Sequence, residues 1–489
     1  MIGTGLPQRI RALLGEAVAA YEGSPHEQRL RAVLDRLDEP LRVAIAGRVK
    51  AGKSTLLNAF VGERLAATDA GECTRIVTWY ANGLASRVWA YPSGGGQPRQ
   101  LPFRRTDGET VIELDGLRPE DLDRLFIEVP NSHLERVTLI DTPGIASLTP
   151  EASARTTAFL TGTDEPGADA VLYLMRHLHA SDVSFLEAFH DEHFAGTTPV
   201  NAIGVLSRAD EVGAGRGDAL DLARRVAGEY RRDPRVRALV QTVVPVAGLL
   251  GQAGSTLRER QYAALRAIAS DAPGRTQAAL LSADRFAADT TTLPVPGEVR
   301  RELLALLGLF GVRLAIGLIQ QGAADDAGAL AAELRRRSGL DELRAVLLDQ
   351  FTERRDLLKA HGALRTLESV LAAGPAPEAE RLRIRLEAVL VGAHELTELR
   401  LLNDLRTGVA ELADEDRRDD AEALLGASGS AVRARLRLPA DAPEAEIRPA
   451  LITALRRWQR IGESPVASAT DRRTATVLRR TCEGLLTAS

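Results

Sequence analysis

The chain has 489 residues, of which 45% are hydrophobic and 26% charged, and a formal net charge of −5. That length is too great for one hydrophobic core, the composition is ordinary for a soluble globular protein, and the missing basic excess argues against a dedicated nucleic-acid binder. Two cysteines far apart, Cys73 and Cys482, suggest neither a disulfide framework nor a zinc ligand set, and a reducing cytoplasm is expected.

Arg9 and Arg11 interrupt what would be the apolar core of a cleavable leader, so none is expected. Pro7 to Leu37 reads as one or two helices, with Ile10, Leu13, Leu14, Val18 and Tyr21 at helical spacing, then Leu30, Val33, Leu34 and Leu37. Glu22-Gly23-Ser24-Pro25 marks the break. The apolar run Leu41–Ala46 is a buried strand.

Gly47-Arg48-Val49-Lys50-Ala51-Gly52-Lys53-Ser54 matches GxxxxGKS between that strand and a helix from Thr55 to Phe60. Backbone amides from Gly47 to Thr55 would form an anion nest, reinforced by the helix dipole. Lys53 would neutralise the β and γ phosphates, and Ser54 would give its hydroxyl to Mg²⁺. Lysine is otherwise nearly absent: it stands only at Lys50, Lys53 and Lys359 in a chain whose cations are arginine. A further magnesium threonine is expected in Asp69–Arg75; Thr74 is the first choice, with Thr68 and Thr78 as competitors. Ser93–Gln100, with three consecutive glycines, is a hairpin or surface loop.

Strands at Arg136–Ile140, Ala170–Met175, Asn201–Leu206 and Gln241–Val246 alternate with helical stretches, the pattern of a doubly wound α/β sheet. Asp141-Thr142-Pro143-Gly144 follows the first of these. Its carboxylate would meet Mg²⁺ through water, and the Gly144 amide would sense the γ-phosphate. Leu206-Ser207-Arg208-Ala209-Asp210 stands where a guanine-reading aspartate belongs; Ser207 and Arg208 replace the usual Asn or Thr and Lys. Asp210 keeps the base-reading carboxylate, and Arg208 can cover the base face. After the last strand, an amide of Ala247 or Gly248 would reach the guanine oxygen.

Leu303–Ile319 is almost continuously apolar but carries Arg313, Gly308, Gly311 and Gly317. A buried helix linking two halves of the chain is expected, with a membrane-inserting hairpin as the alternative. Beyond residue 320 only helical periodicity remains. Leu340–Ala372 reads as one helix of about 50 Å. A break at Gly374–Pro377 follows, then a second long helix from Glu378 to Ala413 and three more, around Asp419–Leu436, Glu444–Arg460 and Asp471–Leu486.

Together GRVKAGKSTLLNAF, AGECTRIV, DTPG, SRAD and VVPVAG resemble the bacterial dynamin-like proteins. The resemblance implies a GTP-hydrolysing α/β domain of the P-loop type (39–320) joined to all-α bundles. These would be a neck helix or helices (1–38), a trunk (321–445) and C-terminal helices returning to the neck (446–489). It implies nucleotide-dependent pairing of GTPase domains and action on membranes, fission ahead of fusion, at the inner face of the cell membrane. A cytosolic signalling or assembly GTPase is the alternative. Where many dynamins carry a water-positioning glutamine this chain has Val49, and Lys50 stands where some large GTPases place a cationic finger; a solvated loop lysine is the other reading. Anionic lipids are the expected partner, met by Arg381, Arg383 and Arg385 with Leu382 and Ile384 beyond the Gly374–Pro377 turn; Leu382 and Ile384 packed in a bundle with the arginines solvated is the other reading.

Overall fold

The computed structural model describes residues 6–63, 65, 76–94, 96–106, 109–142, 168–177, 182–183, 186, 201–352, 354–374 and 378–488. Thr68, Thr74, Pro143, Gly144 and the prolines of the 374–377 turn lie outside these residues. Elements are numbered below within the described residues, helices of eight residues or more.

Two helices open the chain, α1 (Leu6–Ala20) and α2 (Pro25–Arg36). Ser24 caps α2, accepting from the His26 amide at 3.2 Å, and Pro25 occupies the first turn, where its missing N–H costs nothing. Next comes β1 (Leu41–Gly47), buried along almost its whole length, followed by α3 (Lys53–Val61).

The remaining strands are β2 (Val77–Asn82), β3 (Arg87–Pro92), β4 (Arg99–Leu101), β5 (Phe103–Thr106), β6 (Glu109–Ile112), β7 (Leu122–Val129), β8 (Val137–Asp141), β9 (Ala170–Met175), β10 (Ala202–Ser207) and β11 (Val243–Val246). Nine of the eleven form one sheet in the order β11-β10-β9-β1-β8-β2-β7-β3-β4. From β11 to β8 every pairing is parallel, while β2 runs antiparallel to β8. Parallel strands buried on both faces read as continuous apolar runs, which is why β9 and β10 stood out in the sequence. The triglycine stretch joins β3 to β4 as an antiparallel hairpin.

Helices α4 (Ala219–Arg232), α5 (Gly248–Thr256), α6 (Glu259–Ala269) and α7 (Gly297–Gln320) follow. Among the described residues α7 is the helix long and apolar enough to cross a membrane. In this fold it is a core helix. Leu303, Leu307, Val312 and Ala315 are buried with the β9–β10 face of the sheet. It does not link two halves, because α8 (Ala327–Arg337) still packs on α5 and α9 (Leu340–Leu347) on β11, with Leu330 and Leu334 in one of the sheet's two cores and Leu340, Leu343 and Leu347 in the other.

The expected single helix over 340–372 is two. A π-helical turn at Leu348–Thr352 separates α9 from α10 (Arg355–Ala373). The apolar stripe runs on unbroken but serves two cores: Phe351 belongs to the sheet, whereas Leu364 and Leu367 pack against α1 and α2. The second long helix is likewise α11 (Ala379–Gly392) and α12 (His394–Thr407), ended by Gly408 at φ 77°. It is divided where Ala393 turns extended, because α11 packs with α1 and α12 packs with the C-terminal helices. Those are α13 (Glu415–Leu424), α14 (Glu444–Glu463) and α15 (Ala469–Ala488). The helical half therefore forms two bundles, α1-α2-α10-α11 and α12-α13-α14-α15. The C-terminal helices close the second, around Trp458, Leu478 and Cys482, rather than returning to α1.

Candidate functional site

At the carboxyl end of β1 the backbone turns sharply into α3. Gly47 takes φ 148°, and a Cβ there would meet the Leu174 carbonyl oxygen of β9 at 2.5 Å. Only glycine lets the loop leave the sheet this close to its neighbour. Gly52 caps α3 at φ 95°, and Lys50, at the exposed apex, takes the left-handed φ of 63°. Val49 beside it is half exposed and brings no polar group.

Lys53 folds back over the loop, its ammonium donating to the Gly47 carbonyl at 3.1 Å and the Arg48 carbonyl at 3.3 Å. Burial lowers its pKa, against the attraction of Asp141. Ser54 Oγ donates to Asp141 Oδ2 at 3.3 Å, across the gap between α3 and the end of β8. Burial pushes Asp141 up to about 6, opposed by Lys53 and the Ser54 hydroxyl. Its other oxygen, Oδ1, is buried with no hydrogen-bond partner among the described residues. A hydroxyl and a half-satisfied carboxylate facing one another are a donor set for a hard divalent cation, so these residues fit Mg²⁺. Thr142 fixes this end of the strand by donating to the Ile45 carbonyl at 2.9 Å. Thr78, one competitor for the magnesium threonine, pairs with Asp141 across β2–β8 but gives its hydroxyl to the Ile76 carbonyl at 3.2 Å.

On the far side of the loop is a cavity of about 140 Å³ bounded by Ala51, Gly52 and Thr55, and by Ser207, Asp210 and Gly248. Asp210 is 6% exposed, and burial raises its pKa. Ser207 does not face the cavity with a spare hydroxyl, since Oγ donates to the Met175 carbonyl at 3.2 Å. Arg208, at φ 53°, donates to the Lys50 carbonyl at 3.1 Å and to Glu211 at 2.7 Å, lying across the cavity mouth. The Ala247 amide is already engaged, donating to the Ser338 carbonyl at 2.8 Å, so it cannot serve a ligand. Gly248 opens α5, where an amide has no intrahelical carbonyl to meet.

Sequence reasoning missed Glu211, which also faces Arg176 at 3.3 Å. Its position three residues after Arg208 in an acidic turn was the available signal. Arg176, at the end of β9, had none. The three arginines beyond the helical turn are placed elsewhere, on α11. Arg383 donates to the Leu371 carbonyl at 2.8 Å, Arg385 pairs with Glu16, and Arg381 is exposed. Of the two readings of Leu382 and Ile384, the packed one holds for Leu382, which is 2% exposed in the α1–α10–α11 core, and not for Ile384, which is 61% exposed.

A phosphate loop between β1 and α3, a β8 carboxylate facing its serine, and a buried aspartate after β10 define a P-loop GTP hydrolase carrying helical bundles. The 50S ribosome-binding GTPase family matches residues 42–199. Isoniazid-induced protein IniC of Mycobacterium tuberculosis is 39% identical over 98% of this chain and 98% of its own length. The bacterial dynamin-like protein of Nostoc punctiforme is 32% identical over 114 residues, 21% of this chain and 16% of its own. Among solved structures, an oligomerised bacterial dynamin pair covers 99% of this chain and 79% of its own at 13% identity and a TM-score of 0.31. The G domain of the T. maritima FeoB iron transporter covers 44% of this chain and 91% of its own at 16% identity and a TM-score of 0.21. The chain belongs to the family of isoniazid-induced protein IniC, dynamin-like GTPases.

Proposed function

We propose that this GTPase binds GTP with Mg²⁺ and uses hydrolysis to remodel membranes, with fission the expected outcome. The observation that carries the reading is family membership along 98% of the chain, helical bundles included, and not over the GTPase domain alone.

Within the site, Lys53 offsets the charge of the β and γ phosphates, for which it would exchange its present loop carbonyls. Ser54 and, through water, Asp141 would hold Mg²⁺, with Thr74 completing the shell. The cation supplies charge stabilisation on the transferring phosphoryl group. Amides of Val49, Lys50, Ala51, Gly52 and Thr55 cradle the phosphates, and Gly144 senses the γ-phosphate. Asp210 accepts from the guanine edge, Arg208 covers the base, and Gly248 meets the guanine oxygen. GTPase domains pair when loaded, at the cytoplasmic face of an anionic membrane.

Co-sedimentation with anionic phospholipid vesicles, with and without GTP, tests the reading in wild type and Lys53→Ala. GTP-dependent binding followed by smaller vesicles is expected for wild type alone. No sedimentation under any nucleotide, with hydrolysis intact, would leave a cytosolic assembly GTPase.

A further inference from the structure

Within its apolar stretch, Leu303–Ile319, α7 carries three glycines and an arginine that neither hydrolysis nor membrane contact uses. Its break lies at Gly308, with φ 66° and ψ 171°. Side-chain-bearing residues essentially do not adopt that conformation, and the helix contains no proline to cause a kink. The break sits against the base-reading carboxylate. A Cβ built on Gly308 would lie 3.9 Å from Asp210 Oδ2 and 3.5 Å from Leu249 Cδ1. Space is therefore adequate; the backbone angle is what demands glycine.

Further along α7, Arg313 reaches the other end of the same turn. Its Nη1 donates to the Gly215 carbonyl at 3.1 Å and its Nε to the Leu280 carbonyl at 3.0 Å. Gly215 caps the short segment Ala209–Ala214, which carries Asp210 in its first turn and bends at Val212 and Gly213. The charge that looked out of place in an apolar run thus satisfies loop carbonyls, and α7 lies against Asp210 at Gly308 while Arg313 bonds the far end of the segment that carries it.

We propose that Gly308 and Arg313 are positioning residues for guanine recognition, the kink and the guanidinium setting where the Asp210 carboxylate points. This rests on the reading of Asp210 as the group that accepts from the base. A carboxylate binding two donors at once is directional, and a buried one cannot relax into water, so a small displacement costs the contact.

Inosine diphosphate lacks the guanine 2-amino group, so the ratio of its dissociation constant to that of GDP reads the Asp210 contact. Wild type should discriminate by about tenfold or more, the value of one hydrogen bond to a charged group. Gly308→Ala and Arg313→Gln should each bring the ratio toward one by weakening GDP more than inosine diphosphate, which keeps only the N1–H donor, and Arg313→Lys should restore part of it. Folding is checked by circular dichroism and melting; if Gly308→Ala does not fold, Arg313→Gln decides. A wild-type ratio in folded variants, or equal weakening of both nucleotides, overturns the proposal. Asp210→Asn is the reference. A ratio that Asp210→Asn leaves unchanged overturns the base reading itself, whereas one moved by Asp210→Asn but not by the α7 variants overturns this proposal alone.

Discussion

Lys50 and Lys53 are three places apart in one loop, yet the backbone treats them differently. Lys53 is drawn inward onto the Gly47 and Arg48 carbonyls, whereas Lys50 stands exposed at the left-handed apex and offers its own carbonyl to Arg208. A side chain presented this way would be available to charge that develops outside the ground-state phosphate cradle, the proposed role of Lys50. Lys50→Ala is therefore expected to keep GTP affinity within about twofold and to lower kcat by about 10- to 100-fold, the pattern of an interaction made in the transition state. Nucleotide titration beside saturating-GTP turnover checks it; equal losses in both would make Lys50 an ordinary phosphate contact. At this scale the sequence was most informative, because GxxxxGKS and the Asp141-Thr142 pair specify local backbone and chemistry together. It failed where a group is committed to a distant partner. The Ala247 amide is spent on Ser338, and the Ser207 hydroxyl on Met175, contacts that exist only once the strands are side by side.

Helix and strand types were legible from period and apolar runs, and helix continuity was not. The break between α9 and α10 carries no glycine or proline; it arises because one apolar stripe divides between the sheet and the bundle. Just beyond that break lies Lys359, the remaining lysine. The residue is 6% exposed, and its ammonium donates to the Arg36 carbonyl at 2.5 Å and to the Glu39 carbonyl, fastening α10 to the end of α2. Burial pushes it from 10.5 down to about 8, against the pull of Asp169. Between those values the unfolded chain holds the proton and the folded chain does not. The contribution of Lys359 to stability therefore rises with pH across this window and is lost as pH falls through about 8. Relative to Lys359→Met, the wild-type melting temperature should gain about 2–4 °C between pH 8 and pH 10. A gap independent of pH would mean that the ammonium is not desolvated in solution.

At the scale of the whole molecule, the sheet and the helical half are joined by charged contacts that no periodicity announces. Glu422 of α13 is buried between Arg237 at 2.5 Å and Arg406 at 3.4 Å, and Arg36 of α2 meets Asp169 at 2.7 Å. These contacts bring the base of each bundle against the sheet domain, while α10, about 28 Å long, carries the α10–α11 turn away from it. Tyr21 marks that far end by donating to the Gly374 carbonyl at 2.5 Å. Because Leu382 is buried and Arg385 is paired with Glu16, the proposed membrane contact by α11 would have to use its outer face instead. There Arg381, Ile384, Ala388 and Val391 are exposed at spacings that align them along one side, with Ile384 at 61% and Val391 at 79% exposure. Full burial of an aliphatic side chain is worth about 1.5–3 kcal/mol, and an arginine near anionic lipid about 1 kcal/mol. One copy of this face would bind weakly, and several copies in a nucleotide-driven assembly would bind firmly. The double variant Ile384→Asp/Val391→Asp should therefore lose GTP-dependent sedimentation with anionic vesicles while hydrolysing GTP in solution within about twofold of wild type, since surface changes of this kind cost the fold little. Sedimentation at the wild-type level would remove this face from the mechanism and turn attention to the α14–α15 turn, where Val466 is 93% exposed.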